Sequence, residues 1–335
     1  MADKPPVFIV GSPRSGTTFL RHVLDRHPSL SVCGETRFFA EVYKRRWLFG
    51  DLENPANRRR LVEQYLSTGR IRRLGLDLHG MKEKLLREAT SYRALFTGIL
   101  EYYAESHEKQ RLGEKTPHHA FHAKTLCQWY PGAAIIHMVR DPRDVVASLQ
   151  RMPWAPDSAV SNASMWLLFD RAARRLENYT GYLLVRYETL VTQPEHELSR
   201  ICAHLGEDYS SGMLLATEPA SGSVRRLAAA PLTRERLNKW QEQLTAEEVS
   251  LVEWIDGRDM QRYGYHRSAG EISLATISRG LAMAALDSTR RQVARLPYLW
   301  CSVTQPTNLA AQEYWKYRQA WETMFPGLPP MTSKH

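Results

Sequence analysis

Short, almost wholly apolar runs recur along the chain and predict buried strands. Val7–Val10 and Ala133–Val139 are the strongest examples, because each is long enough for a strand and offers hydrophobic residues to both faces. Leu30–Cys33 and Tyr182–Val185 show the same pattern, and a further strand is expected to end near Gly113. Strands that are apolar on both faces are typical of a parallel sheet that helices cover on each side.

The segments between these runs carry apolar residues at helical spacing. Ser15–Arg26 is one example, with Leu20 and Leu24 on the same side of the predicted helix. The polar stretch 51–60 predicts a loop that leads into a helix, and 207–230, rich in Ser, Gly and Ala, predicts a mobile loop. The alternation predicts an α/β fold in three layers, with a central parallel sheet flanked by helices. Further helices are predicted at Thr36–Trp47, 81–106, Pro142–Gln150 and Met165–Asn178.

The last part of the chain has a different character. Residues 272–296 predict an amphipathic helix that Pro297 ends, and Glu313–Phe325 predicts a second, aromatic-rich helix. We therefore divide the chain into a main domain, 1–267, and a helical, aromatic-rich C-terminal extension, 268–335. The simplest interpretation is an arm packed on its own core. A dimer interface, a lid over an acceptor, or docking on a membrane surface or a carrier protein remain open.

Charge is the feature of the composition that changes this picture. The chain has 45 Lys+Arg against 36 Asp+Glu, and its net charge of +9 favours an anionic ligand or surface. No basic arm with interleaved aromatic residues is present, so nucleic acid is not expected as a partner. Four widely spaced cysteines form no metal-binding pattern and predict reduced thiols. The N-terminus does not resemble a signal peptide and no apolar run could span a bilayer, so we expect a cytoplasmic location.

A candidate phosphate loop, Gly11–Thr18, lies between the first predicted strand and the first predicted helix. Unpaired backbone N–H groups and the helix dipole favour an anion there, Arg14 adds a fixed positive charge, and Thr17 and Thr18 add hydroxyl donors. The phosphate loop of NTPases needs a lysine where this chain has Thr17. The loop is therefore poorly suited to Mg·ATP but suits a smaller, less charged anion. A plain strand–helix turn is the alternative.

Arg140 and Ser148 mark a second candidate anion site. Arg140 follows a strong strand and Ser148 lies two helical turns further on, so a guanidinium and a hydroxyl group could grip one phosphate. Asp141 and Pro142 are typical of the first positions of a helix, and the alternative is only a well-capped helix start. Taken together, the two sites suit a nucleotide that is phosphorylated at two separate positions.

These motifs resemble those of sulfotransferases that use the donor PAPS (3′-phosphoadenosine 5′-phosphosulfate). Pro13–Thr18 looks like the family's 5′-phosphosulfate loop, and Arg140–Ser148 looks like its 3′-phosphate motif. The form is most similar to tyrosylprotein sulfotransferases and related bacterial enzymes, and it implies a P-loop-like fold. The similarity extends to Cys33–Arg37, Gly113–Pro117, Arg186–Glu188, Leu237–Trp240 and Tyr263–Tyr265.

The resemblance implies catalytic roles for particular residues. Glu35 would take the proton of the acceptor hydroxyl, although an ion pair with Arg37 is the alternative. Lys115, helped by Arg14, would stabilise the transferring sulfuryl group and the bridging oxygen; otherwise it is a surface lysine at a turn. His119 is the substitute base if the Glu35 side chain points away; the alternative, which we favour, is a hydrogen-bonded histidine at a turn or helix start.

The resemblance also implies the contacts to the donor. Tyr187 would lie near the adenine, or else simply cap a strand. Arg225 and Arg226 would close over the 3′-phosphate, although this stretch lacks the glycine-rich closing motif of the family. The expected donor-binding residues are Arg14, Ser15, Gly16, Thr17, Thr18, Arg140, Ser148 and Tyr187.

We therefore expect a sulfotransferase that moves a sulfuryl group from PAPS to a hydroxyl acceptor by direct in-line transfer, without a metal ion. The acceptor is a small molecule, a carbohydrate or a peptide, and the basic charge suits an anionic one. An ATP-dependent kinase and a catalytically dead nucleotide-binding protein are the alternatives. A homo-oligomer and peripheral membrane contact by the extension remain open.

Overall fold

The structure is a computed structural model, and it describes residues 4–214 and 234–320. Five strands form a parallel sheet, in the order second, third, first, fourth, fifth. This arrangement confirms the predicted α/β class, because parallel neighbours can be joined only by crossover connections. The strands are β1 (Val7–Gly11), β2 (Leu30–Cys33), β3 (Arg111–Lys115), β4 (Ala134–Val139) and β5 (Tyr182–Arg186).

Helices cover both faces of the sheet. The consecutive residues Phe8 and Ile9 of β1 point into two different hydrophobic cores, since successive side chains of a strand lie on opposite faces of the sheet. Phe96 joins Phe8 in one core, and Leu20 joins Ile9 in the other. The helices are α1 (Thr17–Leu24), α2 (Phe38–Glu41), α3 (Arg46–Phe49), α4 (Pro55–Leu66), α5 (Gly69–Arg72), α6 (Leu78–Glu88), α7 (Tyr92–Glu105), α8 (Ala123–Trp129), α9 (Pro142–Gln150), α10 (Ala159–Arg174), α11 (Tyr187–Thr192), α12 (Pro194–Leu205), α13 (Trp240–Gln243), α14 (Ala246–Gln261), α15 (Leu274–Ala294), α16 (Leu296–Thr304) and α17 (Leu309–Tyr317). Short 3₁₀ segments lie at Tyr43–Arg45, Pro117–His122, Ser211–Leu214, Arg234–Arg236 and Arg318–Ala320.

The prediction of a single long helix at 81–106 is wrong, because the segment forms two helices, α6 and α7. The Ser91 hydroxyl accepts a hydrogen bond from the Ala94 N–H at 3.1 Å and caps the start of α7. Serine favours such caps over helix interiors, because its side chain competes for backbone donors. The apolar periodicity runs through the break and therefore hides it.

Two other predicted helices have different bounds in the structure. Thr36–Trp47 breaks into α2, a 3₁₀ segment and α3, after Arg37 adopts a left-handed conformation with φ 52°. The helix predicted from Met165 begins earlier, at Ala159, because the Ser158 hydroxyl caps it. The stretch 51–60 enters α4 at Pro55, as its loop-into-helix pattern predicts.

The C-terminal extension packs on the main domain. Arg291 of α15 donates to the Trp154 carbonyl at 3.3 Å, and Arg45 donates to Tyr298 of α16 at 2.6 Å and to Gln312 of α17. These contacts support the packed-arm interpretation over the described part of the extension. They do not test the division at residue 267, which stays a prediction.

Part of the extension lies outside the described residues, as do Arg225 and Arg226. The second helix predicted there, Glu313–Phe325, begins at Leu309 and ends at Tyr317 as α17. Within 4–214 and 234–320, no helix is long and apolar enough to cross a membrane.

Candidate active site

The predicted site residues lie at the carboxyl edge of the parallel sheet. Glu35 follows β2 and Lys115 ends β3, whereas Arg140 follows β4 and Tyr187 follows β5. The phosphate loop follows β1, which lies between β3 and β4. The sheet order therefore places the Glu35 and Lys115 side chains on one flank of the loop and Arg140 and Tyr187 on the other. Ligands of open α/β sheets bind at this edge.

Two glycines allow the phosphate loop to turn tightly between β1 and α1. A Cβ atom at Gly11 would lie 2.2 Å from the Met138 carbonyl oxygen of the neighbouring strand. Gly16 has φ 92°, and a Cβ atom there would lie 2.4 Å from Cδ2 of Tyr187. The following helix, α1, begins without a side-chain cap, so its first backbone N–H groups remain available to an anion.

Arg14 occupies the middle of this loop in a strained conformation. Its φ of 71° is unusual for a residue with a side chain, and such strain is concentrated at functional sites. Its Nε atom donates to the Ser148 hydroxyl at 2.9 Å, which brings the two predicted anion motifs together. Burial, and then the guanidinium groups of Arg140 and Arg236, lower the pKa of Arg14. No carboxylate pairs with Arg14 among the described residues, so positive charge accumulates here.

Arg140 is held beside the loop by groups on three elements. Its Nη2 atom donates to Asp144 at 3.1 Å and to the Arg236 carbonyl at 2.5 Å, and its guanidinium lies 4.7 Å from the Tyr187 ring centre. Asp144 also accepts the backbone N–H of Trp240 at 3.0 Å. Asp144 therefore ties the start of α13 to the second anion site.

In the two anion motifs, Pro13–Thr18 and Arg140–Ser148, two buried side-chain polar atoms have no hydrogen-bond partner among the described residues. They are the Ser15 hydroxyl and the Nε atom of Arg140. Buried polar atoms are normally hydrogen-bonded, so such exceptions require an explanation. An anion bound between the loop and Arg140 would satisfy both atoms.

Glu35 and Lys115 form an ion pair on the other flank of the loop. Lys115 Nζ lies 2.5 Å from Glu35 Oε1; the lysine side chain is 5% exposed and the glutamate side chain 25% exposed. Although burial acts in the opposite direction, the Lys115 and Arg70 cations hold the pKa of Glu35 well below its usual range. The alternative interpretation of Lys115 as a surface lysine is wrong.

The arginine that contacts Glu35 is Arg70, which lies outside the predicted motifs, and not Arg37. Arg70 Nη1 lies 3.4 Å from Glu35 Oε2, and its side chain is 1% exposed. Arg37 instead pairs with Glu41, its Nε atom 3.2 Å from the Glu41 carboxylate. The alternative ion pair between Arg37 and Glu35 is therefore wrong.

His119 is enclosed in the core and does not suit the role of substitute base. Its side chain is about 1% exposed, its ring packs edge-on against Phe39, and its Nδ1 lies 2.7 Å from Glu114 Oε2. The neighbouring His118 lies nearer the surface, with Nε2 3.1 Å from an Arg37 nitrogen. Burial and the Arg37 cation lower the pKa of His118 to about 2, so this ring is neutral at ordinary pH.

Arg70 and Arg236 belong to the site, but neither was predicted. Arg70 lies on the short helix α5, in a stretch with several arginines at 58–60 and 70–73 that otherwise indicates only a solvated surface. Arg236 contributes its charge and its carbonyl oxygen beside Arg140. Their roles depend on contacts between distant parts of the chain, which local patterns do not report.

The family model described as "Sulfotransferase family" matches residues 5–211, more than half of the chain. The chain belongs to the sulfotransferase family. This membership decides against the kinase alternative and confirms that the protein is a sulfotransferase. The match covers the phosphate loop, the Glu35–Lys115 pair and Arg140.

Curated relatives and solved structures agree with this membership. This sulfotransferase is 27% identical to omega-hydroxy-beta-dihydromenaquinone-9 sulfotransferase Stf3 of Mycobacterium bovis, over 80% of this chain and 77% of that protein. It is 26% identical to protein-tyrosine sulfotransferase 2 of Gallus gallus, over 71% of this chain and 63% of that protein. The sulfotransferase domain of the Synechococcus PCC 7002 olefin synthase shares its fold, with a TM-score of 0.54, 22% identity, and coverage of 79% of this chain and 97% of that one.

Proposed function

We propose that this sulfotransferase uses PAPS as its donor and transfers the sulfuryl group directly to a hydroxyl acceptor. The proposal rests on one arrangement: a basic anion-binding loop lies between a buried Glu35–Lys115 pair and a second basic site at Arg140. The two anion sites match a nucleotide that is phosphorylated at both its 5′ and 3′ positions. The central pair offers a carboxylate and an ammonium group for the chemistry.

The residues present suit this donor. Arg14 and the first N–H groups of α1, with Ser15, Gly16, Thr17 and Thr18, would hold the 5′-phosphosulfate. On the other flank Arg140 and Ser148 would hold the 3′-phosphate by charge-assisted hydrogen bonds. The ring of Tyr187, which packs over Gly16, would lie beside the adenine.

We propose that Glu35 and Lys115 act together in the transfer. Glu35 takes the proton of the acceptor hydroxyl while the acceptor oxygen forms its bond to sulfur. Lys115 and Arg14 stabilise the negative charge that stays on the phosphate oxygen as its bond to sulfur breaks. The products are the sulfated acceptor and PAP (3′-phosphoadenosine 5′-phosphate). Fixed positive charge from Arg14, Lys115 and Arg140 would serve where a metal ion serves in NTPases.

We assign the acceptor only to the class of compounds that carry a hydroxyl group. The relative from Mycobacterium bovis is named for a hydroxylated menaquinone, and the relative from Gallus gallus is named for tyrosine in a protein. These two acceptors share only the hydroxyl group. We therefore propose a small-molecule, carbohydrate or peptide hydroxyl as the acceptor.

The Glu35→Gln variant tests this proposal. It keeps the size of the side chain but removes the base, so the transfer rate should fall by about 10²- to 10⁴-fold. The rate is measured as PAP released from PAPS in the presence of a panel of hydroxyl acceptors. The stabilisation of the variant by PAP should match that of the wild type, which separates loss of chemistry from loss of folding. An unchanged rate in Glu35→Gln would exclude Glu35 as the base.

A further inference from the structure

Helix α17 of the C-terminal extension packs directly against the helix that carries Arg70. Glu313 of α17 is 3% exposed, and its Oε2 accepts the Gly69 N–H at 2.5 Å. Its Oε1 lies 3.5 Å from Arg70 Nε. The family match ends at residue 211, so this contact comes from a part of the chain beyond it.

Arg70 divides one positive charge among three carboxylates. Its guanidinium lies 3.4 Å from Glu35, 3.5 Å from Glu313 and 3.9 Å from Glu41. Because Arg70 and Glu313 are buried and Glu35 and Glu41 are partly buried, the charges interact more strongly than they would in water. The charge on Glu313 therefore affects how strongly Arg70 stabilises the ionised Glu35.

Tyr317, at the end of α17, contacts both arginines near Glu35. Its hydroxyl accepts from Arg37 Nη1 at 2.6 Å, and the Arg70 guanidinium lies 5.1 Å from the centre of its ring. Arg37 comes two residues after Glu35 and also contacts His118. The tyrosine therefore contacts Arg70, the partner of Glu35, and also holds Arg37.

We propose that helix α17 forms one side of the catalytic site, in which Glu313 and Tyr317 position the Glu35 carboxylate through Arg70. This inference rests on the proposed role of Glu35 as the base. Glu313 and Tyr317 act as positioning residues, because both contact Arg70, which pairs with Glu35. Tyr317 also accepts from Arg37, which shares the Glu41 carboxylate with Arg70. The C-terminal extension thereby contributes positioning residues to the catalytic site.

The two charge states of Glu313 have opposite effects on Glu35. When Glu313 is ionised it attracts Arg70, which leaves Glu35 a stronger base; when Glu313 is protonated, Arg70 binds Glu35 more tightly. Burial and the nearby Glu41 carboxylate raise the pKa of Glu313, so it titrates closer to neutral pH than an ordinary glutamate. The other charged or titratable side chains lining its small cavity are Arg45, Tyr65, Tyr298 and Lys316.

The Glu313→Gln variant tests the inference through the pH profile of kcat. In the wild type, kcat should rise as Glu313 ionises with increasing pH. Glu313→Gln should remove this rise, so that kcat falls by roughly three- to tenfold at pH 8 but stays near the wild-type value at pH 6. PAP stabilisation should be unchanged. A purely structural role would instead lower kcat, PAP binding and thermal stability together at every pH, and would overturn the inference.

Tyr317→Phe keeps the inference testable if Glu313→Gln does not fold. Its matched control is Tyr298→Phe, which also removes an arginine–tyrosine hydrogen bond of 2.6 Å in the extension, but one made with Arg45. Tyr317→Phe should lower kcat several-fold with little change in the acceptor KM, and Tyr298→Phe should not. Equal effects of the two variants would contradict the inference. If Glu35→Gln itself were fully active, the proposed function would fail first, and the two failures are therefore distinguishable.

Discussion

At the scale of single residues, the central feature is a buried ion pair that the reaction must disturb. Glu35 is held in its ionised form by Lys115 at 2.5 Å and by Arg70 at 3.4 Å. A carboxylate beside two cations is a weak base, because the cations hold its pKa low. Burial lowers the pKa of Lys115, and the Glu35 carboxylate offsets this effect only in part. A bound anion would therefore attract Lys115 and weaken its interaction with Glu35. The pKa of Glu35 would then rise, which would make the carboxylate a stronger base.

A double-mutant cycle on the pair tests this coupling. Lys115→Ala should lower kcat by roughly 10²- to 10³-fold, as expected for the loss of a positive group at a developing negative charge. Since the two side chains act as one unit, the combined Glu35→Gln, Lys115→Ala variant should be little slower than the worse single variant. Additive losses in kcat would show that the two residues act independently and that the coupling does not exist.

The identity of the key residues can be predicted from the sequence, but their partners cannot. Glu35, Lys115, Arg14 and Arg140 each follow a recognisable strand end or loop motif. The ion-pair partner Arg70 lies 35 residues beyond Glu35 and has no motif of its own. Which arginine reaches Glu35 depends on how α5 packs, and packing is a property of the whole fold.

At the scale of elements, the strand ends and the phosphate loop make the site. The central strands β1 and β4 are fully buried and, except for His137, apolar, so both are predictable from the sequence. Helix bounds are less predictable, because caps such as Ser91 and Ser158 interrupt apolar patterns without changing them. The loop between β1 and α1 is tight enough that a single side chain would disturb it.

Substitution of Gly16 by alanine tests how tight this loop is. Gly16→Ala combines an unfavourable φ of 92° with a Cβ that would lie 2.4 Å from the Tyr187 ring. Gly75→Ala is the matched control, because Gly75 has φ 74° but no atom within 4 Å of the added Cβ. Both should lose about 1 kcal/mol of stability to backbone strain. Only Gly16→Ala should also lose the increase in melting temperature that PAP causes. If Gly16→Ala keeps this increase, PAP binding does not require Tyr187 to pack on the loop.

At the scale of the whole molecule, the C-terminal extension connects folding to the catalytic site. Its helix α17 buries Glu313 beside Arg70, and its α15 and α16 contact the main domain elsewhere. The sequence predicts the amphipathic helices of the extension but not the face on which they pack. The apolar side chains of Leu286, Val293 and Trp300 stay exposed, at 52%, 61% and 72%. Membrane contact by the extension and a homo-oligomer, which the sequence leaves open, are not tested by these exposed side chains.

Burial of Glu313 makes a testable contribution to the pH dependence of stability. Its pKa is raised from 4.5 to about 7, so the folded state binds more protons than the unfolded state between these values. The free energy of unfolding from this group must therefore fall as pH rises from about 4.5 to about 7. Relative to wild type, Glu313→Gln should gain melting temperature as the pH increases across this window. A melting-temperature difference that does not vary with pH would contradict this assignment.

The two anion sites at the edge of the sheet should together bind a nucleotide with two separated phosphates. Thermal unfolding of the pure protein with PAP, and separately with Mg·ATP, measures this binding. At about 100 times its Kd, PAP should add about 2.7 kcal/mol of stability. This gain should disappear in Arg140→Ala but not in Arg87→Ala, which removes an arginine 68% exposed on the far helix α6. Stabilisation by Mg·ATP but not by PAP would contradict this prediction.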